Sequence, residues 1–238
     1  MRAGSNIVVA GHQPNFFPWF GYFEKILKSD VFVFSDDVQY PKQSVVNRVE
    51  IPISGQPSYL TLPVKKGNDQ RIADKQYIKD DSVVKKIIKT VKINLGSYDF
   101  FDDLIPILDE FSIQFQKKGN ISELNIHMNS YIATLLGITT ATKLGTELNL
   151  EEFHRNERLI RRCNLLNSTI YLCGQGADGY QNEAKIEAAG ILLQKIDYSI
   201  GKDALGKDLQ YSILLGIAKY GLDYLRLHIS EWYREKKT

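Results

Sequence analysis

Two short apolar runs, Ile7–Ala10 and Val31–Phe34, bracket a helical stretch within roughly thirty residues, and this spacing limits the fold more than any other feature of the chain. Each run is continuously apolar, the pattern of a strand buried on both faces. Between them Pro14 and Pro18 forbid regular structure until about Trp19. From there Phe20, Phe23, Ile26 and Leu27 recur at helical spacing as far as Lys28–Ser29. Strand, loop, helix and strand this close together form a βαβ unit, for which parallel pairing is the ordinary solution. The expectation is an α/β chain, Rossmann-like, with a mostly parallel sheet and a helical middle segment.

The rest of the chain extends that plan. Val49–Ile53 and Tyr59–Val64 flank Ser54–Gly55–Gln56–Pro57 and read as a hairpin. Three helical stretches follow, Val83–Ile93 after the capping candidates Asp80 and Asp81, Phe101–Phe115, and Ser122–Leu135 closed by Gly137. Alternation then returns, with strands at Thr139–Leu144, Thr169–Cys173 and Ile191–Ile196 and helices at Asn156–Leu166, up to Ala189, Gln210–Tyr220 and Leu222–Tyr233. No linker separates two halves, so residues 1–238 are expected to form one α/β domain with a helical insertion or cap at about 80–137.

Composition narrows the function classes. With 43% hydrophobic and 24% charged residues, disorder is not the default. Thirty Lys and Arg against 28 Asp and Glu leave +2, which gives no strong field for a nucleic-acid backbone or an anionic membrane. The absence of a long apolar run or a charged-then-apolar leader predicts neither a membrane span nor a signal peptide, and a cytoplasmic protein is expected. Cys163 and Cys173 are too few for a disulfide scaffold and read as two buried thiols. His127, His154 and His228 read as structural or surface residues, and no metal site is expected.

The segment Gly11–Tyr22 carries the densest chemistry. It leaves the carboxyl end of a buried strand, the edge at which open parallel sheets bind ligands. His12, Gln13 and Asn15 place an imidazole and two amides there, with Trp19 and Tyr22 as aromatic walls. If the second strand neighbours the first, Asp36, Asp37 and Gln39 reach the same edge. Adjacent carboxylates repel, so one can act as general base, or both can hold a cation; the alternative is a strand-end turn in which Asp36 caps a loop. Asn47–Arg48 follows, and Arg48 is suited to a phosphate or carboxylate, or to pairing with Asp36 or Asp37. Further on, Gly174, Gly176 and Gly179 form a strand-to-helix turn able to cradle phosphate through backbone N–H groups, followed by Tyr180. Tyr180 and Tyr198 are within reach of a pocket, though core positions are commoner for tyrosine. Neither a Gly-x-Ser-x-Gly elbow nor a reactive cysteine setting is present.

Taken together, His12–Asn15, Pro18–Phe23 (interrupted by Phe20), Asp36–Gln39, Asn47–Arg48 and the later Tyr171–Ile191 resemble the WbqC-like protein family over nearly the whole chain. The tail departs from the family's Leu-Ser-x-x-Asp helix, having Tyr211-Ser212-Ile213-Leu214-Leu215 instead. The resemblance implies a role in surface (O-antigen) polysaccharide synthesis, with transfer of glycine or another acyl group to a nucleotide-linked amino sugar. On that reading His12 or Asp36 takes the proton from the attacking amine, Arg48 and the glycine turn hold phosphate, and the nucleotide or nucleotide-sugar is bound as substrate. Two alternatives stay open: adenylyl or nucleotidyl transfer through the same loops, and a non-catalytic carbohydrate-binding or assembly protein. The oligomeric state is not fixed by the sequence.

Overall fold

The structure, a computed structural model, describes residues 6–41, 44–67, 70–175 and 182–235. The opening unit consists of β1 (Val8–His12), α1 (Phe20–Leu27) and β2 (Val31–Phe34). A hairpin follows, β3 (Arg48–Ile53) and β4 (Gln56–Thr61), and then α2 (Asp81–Leu95), α3 (Ile105–Lys117) and α4 (Ile121–Leu135). The chain continues through β5 (Ala141–Leu144), α5 (Arg155–Leu165), β6 (Ile170–Cys173), α6 (Glu183–Glu187) and β7 (Leu192–Lys195). It closes with α7 (Ser199–Leu205), α8 (Ile213–Tyr220) and α9 (Leu222–Glu235). Among these residues no helix is long and apolar enough to cross a membrane.

Five strands form one parallel sheet in the order β5-β2-β1-β6-β7, the α/β, Rossmann-like plan expected from the opening βαβ unit. From β1 the chain moves outward through β2 to β5, then crosses to β6 and β7 on the other flank. The order therefore reverses between β1 and β6, and that crevice is where such sheets take ligands.

Strand alternation sorts the core into two layers. Ala10, Phe32, Phe34 and Leu172 join a cluster with α1, α7, α8 and the helices of the middle segment. Val9, Val33, Tyr171 and Cys173 face the other way, onto Leu159 and Cys163 of α5 and Ile186 of α6. Both cysteines are free and buried.

Helices α2 and α4 begin where the capping residues place them. The Asp80 carboxylate accepts from the Ser82 N–H at 2.7 Å, and the Asn120 side chain from the Glu123 N–H at 2.8 Å. Two buried asparagines on α4 then tie the segment to the opening loop. Asn125 Nδ2 donates to Pro14 O at 2.9 Å and to Val46 O at 2.7 Å, and Asn129 Nδ2 to Asn15 O at 3.1 Å. Phe17, left-handed at φ 41°, packs its ring edge-on against Phe111 of α3. Ser212, the N-cap of α8, clamps the same loop by donating from Oγ to Phe17 O at 2.7 Å.

Candidate active site

A cavity of about 930 Å³ opens at the carboxyl end of β1 and β6. Its lining comes from Gly11, His12 and Gln13 at the end of β1, Ser35 and Val38 after β2, and Cys173, Gly174 and Gln175 at the end of β6. One helix from each side completes it: Lys25 of α1, and Arg155, Arg158 and Arg162 of α5, with His154 and Asn156 at the head of α5. Trp19 and Tyr198 supply aromatic faces, their rings 4.7 Å apart.

His12 ends the central strand. Its Nδ1 lies 3.2 Å from Gln13 O, and only an N–H can bond a carbonyl, so Nε2 is left as the basic nitrogen. Behind it stands Tyr22, ring edge to ring face at 5.2 Å, whose hydroxyl donates to the same Gln13 carbonyl at 3.0 Å. Burial, reinforced by the Lys25 charge, pulls the imidazole down to about 4, so it is neutral at physiological pH.

The cations are held in an unusual way. Lys25 is 5% exposed and its Nζ donates to Gly11 O at 3.0 Å; burial, partly offset by Cys173 and reinforced by Arg162, lowers its ammonium to about 8. Arg162, also 5% exposed, has no partner for its Nε among the described residues. Its guanidinium lies against Gly11, on the space a Cβ there would fill. Arg158 sits 3.3 Å from the carboxylate of Asp37. No Asp or Glu among the described residues lines the cavity.

The sequence candidates divide into three groups. His12, Gln13, Trp19 and Gly174 come together in the lining. Tyr22 and Asp37 stand immediately behind it, one packing His12 and the other holding Arg158. Asp36, Gln39, Asn15, Asn47 and Arg48 are not part of the lining.

Each of that last group has a local engagement. The Asp36 carboxylate accepts from Thr146 N at 2.9 Å and Thr146 Oγ1 at 3.1 Å, while burial raises its pKa. Gln39 forms an isolated bridge with Arg71. Asn15 is buried against α4, and Asn47 Nδ2 donates to Leu62 O at 3.1 Å. Arg48 lies over the Tyr59 ring at 4.2 Å, so it grips neither Asp36 nor Asp37. Gly176 and Tyr180 lie outside the described residues.

Sequence reasoning missed Lys25, Arg155, Arg158, Arg162 and Ser35, read His154 as a surface or capping residue, and put Tyr198 within reach of a pocket while favouring a core position; both line the cavity. A signal existed for the arginines, since positions 155, 158 and 162 follow an i, i+3, i+7 helical face beside the apolar Leu159 and Cys163. Lys25 had none, because it lies on a helix buried along its whole length.

The model of the WbqC-like protein family matches residues 13–203. A relative from Mycobacterium tuberculosis, the uncharacterized protein Rv1507c, is 29% identical over 196 residues, covering 82% of this chain and 84% of its own. No solved structure gives a significant match.

Proposed function

The chain belongs to the WbqC-like protein family, and from that membership and its cavity we propose an enzyme of cell-surface polysaccharide synthesis that acylates a nucleotide-linked amino sugar. The observation that carries this reading is a neutral imidazole, His12, set among buried cations at the switch point of the sheet.

In the proposed reaction the unprotonated sugar amine attacks the carbonyl of an activated acyl donor, glycyl or another. The new C–N bond forms as the donor's leaving group departs, and Nε2 of His12 takes the amine proton. An imidazole at about 4, held there chiefly by burial, is a weak base, and an anion seated on Lys25 raises its basicity by offsetting the charge that adds to that depression. Gln13 offers an amide donor for the tetrahedral oxyanion. Trp19 and Tyr198 offer faces for base or sugar. Asp36 and Asp37 act here as positioning residues, the first for Thr146 and the second for Arg158. We place this activity in the cytoplasm, where a nucleotide-linked substrate is available to it.

The row of arginines on α5 also favours a second reading, nucleotidyl transfer, in which triphosphate is the donor. Incubating the protein with nucleotide-linked amino sugars and activated glycyl or acyl donors, with mass spectrometry of the products, tests the first reading. Acylated sugar from the wild type and none from H12A supports it. Consumption of ATP or CTP with no acylated sugar transfers the conclusion to the second. Sugar binding with no turnover of any donor overturns both.

A further inference from the structure

We infer that Lys25 and Arg162, continued toward solvent by Arg158, Arg155 and the head of α5, form the seat of a diphosphate, so that the ligand's phosphates meet the two cations where they gather beside Gly11. This rests on the reading above to the extent that it says where the nucleotide-linked substrate puts its phosphates.

The first support is electrostatic. Lys25 and Arg162 are each 5% exposed, and among the described residues neither has a carboxylate partner. Lys25 has one carbonyl, and Arg162 keeps an unpartnered buried Nε. Isolated charges are expensive to bury, and an anionic ligand is what compensates them.

The second support is shape. Gly11 lacks the side chain that would exclude the Arg162 guanidinium, and its carbonyl is where Lys25 is anchored. Both cations therefore meet at one point of the central strand. A planar guanidinium beside a point ammonium suits bridging phosphates.

The third support is the helix behind them. The 11-residue α5 starts at the cavity with His154 in the N-cap position and no side-chain capping bond. The N–H groups ahead of Glu157, which itself donates to His154 O at 3.2 Å, lack helical partners, and the dipole favours negative charge there. Arg155, the first helical residue, is left-handed at φ 47°, and Tyr198 at φ 54° is a second such residue in the lining. Strained backbone of this kind persists where the surroundings enforce it, commonly at ligand sites. From Arg155 through Arg158 to Arg162 the side chains pass from exposed to buried, a graded entry for a multiply charged group. The cavity volume, about 930 Å³, accommodates a nucleotide-linked sugar.

Calorimetric titration of inorganic pyrophosphate, and separately of glycine and acetate, into the wild type, K25M and R162K tests the seat. R162K keeps a cation in place and guards against misfolding, which circular dichroism checks. Pyrophosphate should bind the wild type, and each variant should weaken it by about tenfold or more, since either loses charge or the paired donors of the fork. No binding, equal binding by all three proteins, or glycine and acetate matching pyrophosphate overturns the inference. Pyrophosphate binding that depends on Lys25 and Arg162 without any acyl transfer sustains the seat and removes only the acyl reading. Acyl transfer indifferent to both side chains and to pyrophosphate does the reverse.

Discussion

Arg162 occupies the space that a side chain on Gly11 would need, so the central strand ends in bare backbone with a guanidinium laid across it. One residue's missing Cβ is therefore part of how the other is placed.

Gly11→Ala should push Arg162 aside while sparing the fold, because the colliding atom is the far end of a flexible side chain and the nearest backbone atom, Val33 O, would sit at 3.3 Å. Pyrophosphate affinity should fall by about tenfold, while the thermal midpoint moves by only about 3 °C. Unchanged affinity in calorimetry would mean that Arg162 does not touch the ligand.

Lys25 should cost stability in the unliganded protein. Its folded pKa of about 8 lies below the ordinary 10.5, so between those values the unfolded chain holds more protons and stability rises with pH; below pH 8 the whole cost is present. K25M should accordingly be more stable at pH 7, by up to about 3 kcal/mol less the lost bond to Gly11 O, and should lack the rise above pH 8. Urea midpoints at pH 7 and 9.5 measure both effects. A K25M protein less stable than wild type at pH 7 contradicts this account.

His12 gives the complementary window. With a folded pKa of about 4 against 6.5, it binds fewer protons folded than unfolded between those values, so it makes stability fall as pH drops from 6.5 to 4. Pyrophosphate should raise the imidazole by offsetting Lys25, and binding at pH 5 should take up protons. Calorimetry in two buffers of different ionisation enthalpy reads that uptake, which should vanish in H12Q. Uptake that persists in H12Q assigns the proton elsewhere.

Asp36 faces Thr146, and a neutral amide can keep the bond from Thr146 N. Asp36→Asn should retain turnover within about threefold, whereas D36A should lose about 1–3 kcal/mol of stability by stranding the Thr146 groups. A drop in turnover of about a hundredfold in D36N, with stability intact, would make Asp36 the base.

Asn125 is 1% exposed and serves two carbonyls, Pro14 O and Val46 O. Asn125→Ala leaves both without that donor and should cost about 2–4 kcal/mol in denaturant unfolding. Because Pro14 follows Gln13 in the cavity lining, ligand affinity should weaken as well. A loss below about 1 kcal/mol would show that water replaces the amide.

Much of the architecture could be read from the chain because buried parallel strands announce themselves as short β-branched and aromatic runs, Val31–Phe34 among them. The hairpin was legible too, although its connection is the two-residue turn Ser54–Gly55, with φ of 51° and 76°, and Pro57 sits in β4 opposite Pro52. Helix α7 was not legible. Its first N–H groups, Ile200 and Gly201, donate to the Glu24 carboxylate at 3.1 and 2.9 Å, so its cap comes from 176 residues away and leaves no local mark. The cavity shows the same split. His12, Gln13 and Gly174 stand at strand ends, which sequence locates; Lys25 and Arg162 are charges on helices, which sequence reads as solvated.

The place of β1 in the sheet also bears on how the chain comes to be made. Val9 pairs with Val31 on one side but with Tyr171 on the other, so one edge of the central strand waits while a further 160 residues or so are synthesised. At about 5–20 residues per second that wait lasts about ten to thirty seconds. During it an apolar strand stands half-paired beside the ribosome, open to its neighbours on a polysome. Abundant chaperone during synthesis should therefore raise the soluble yield of this protein.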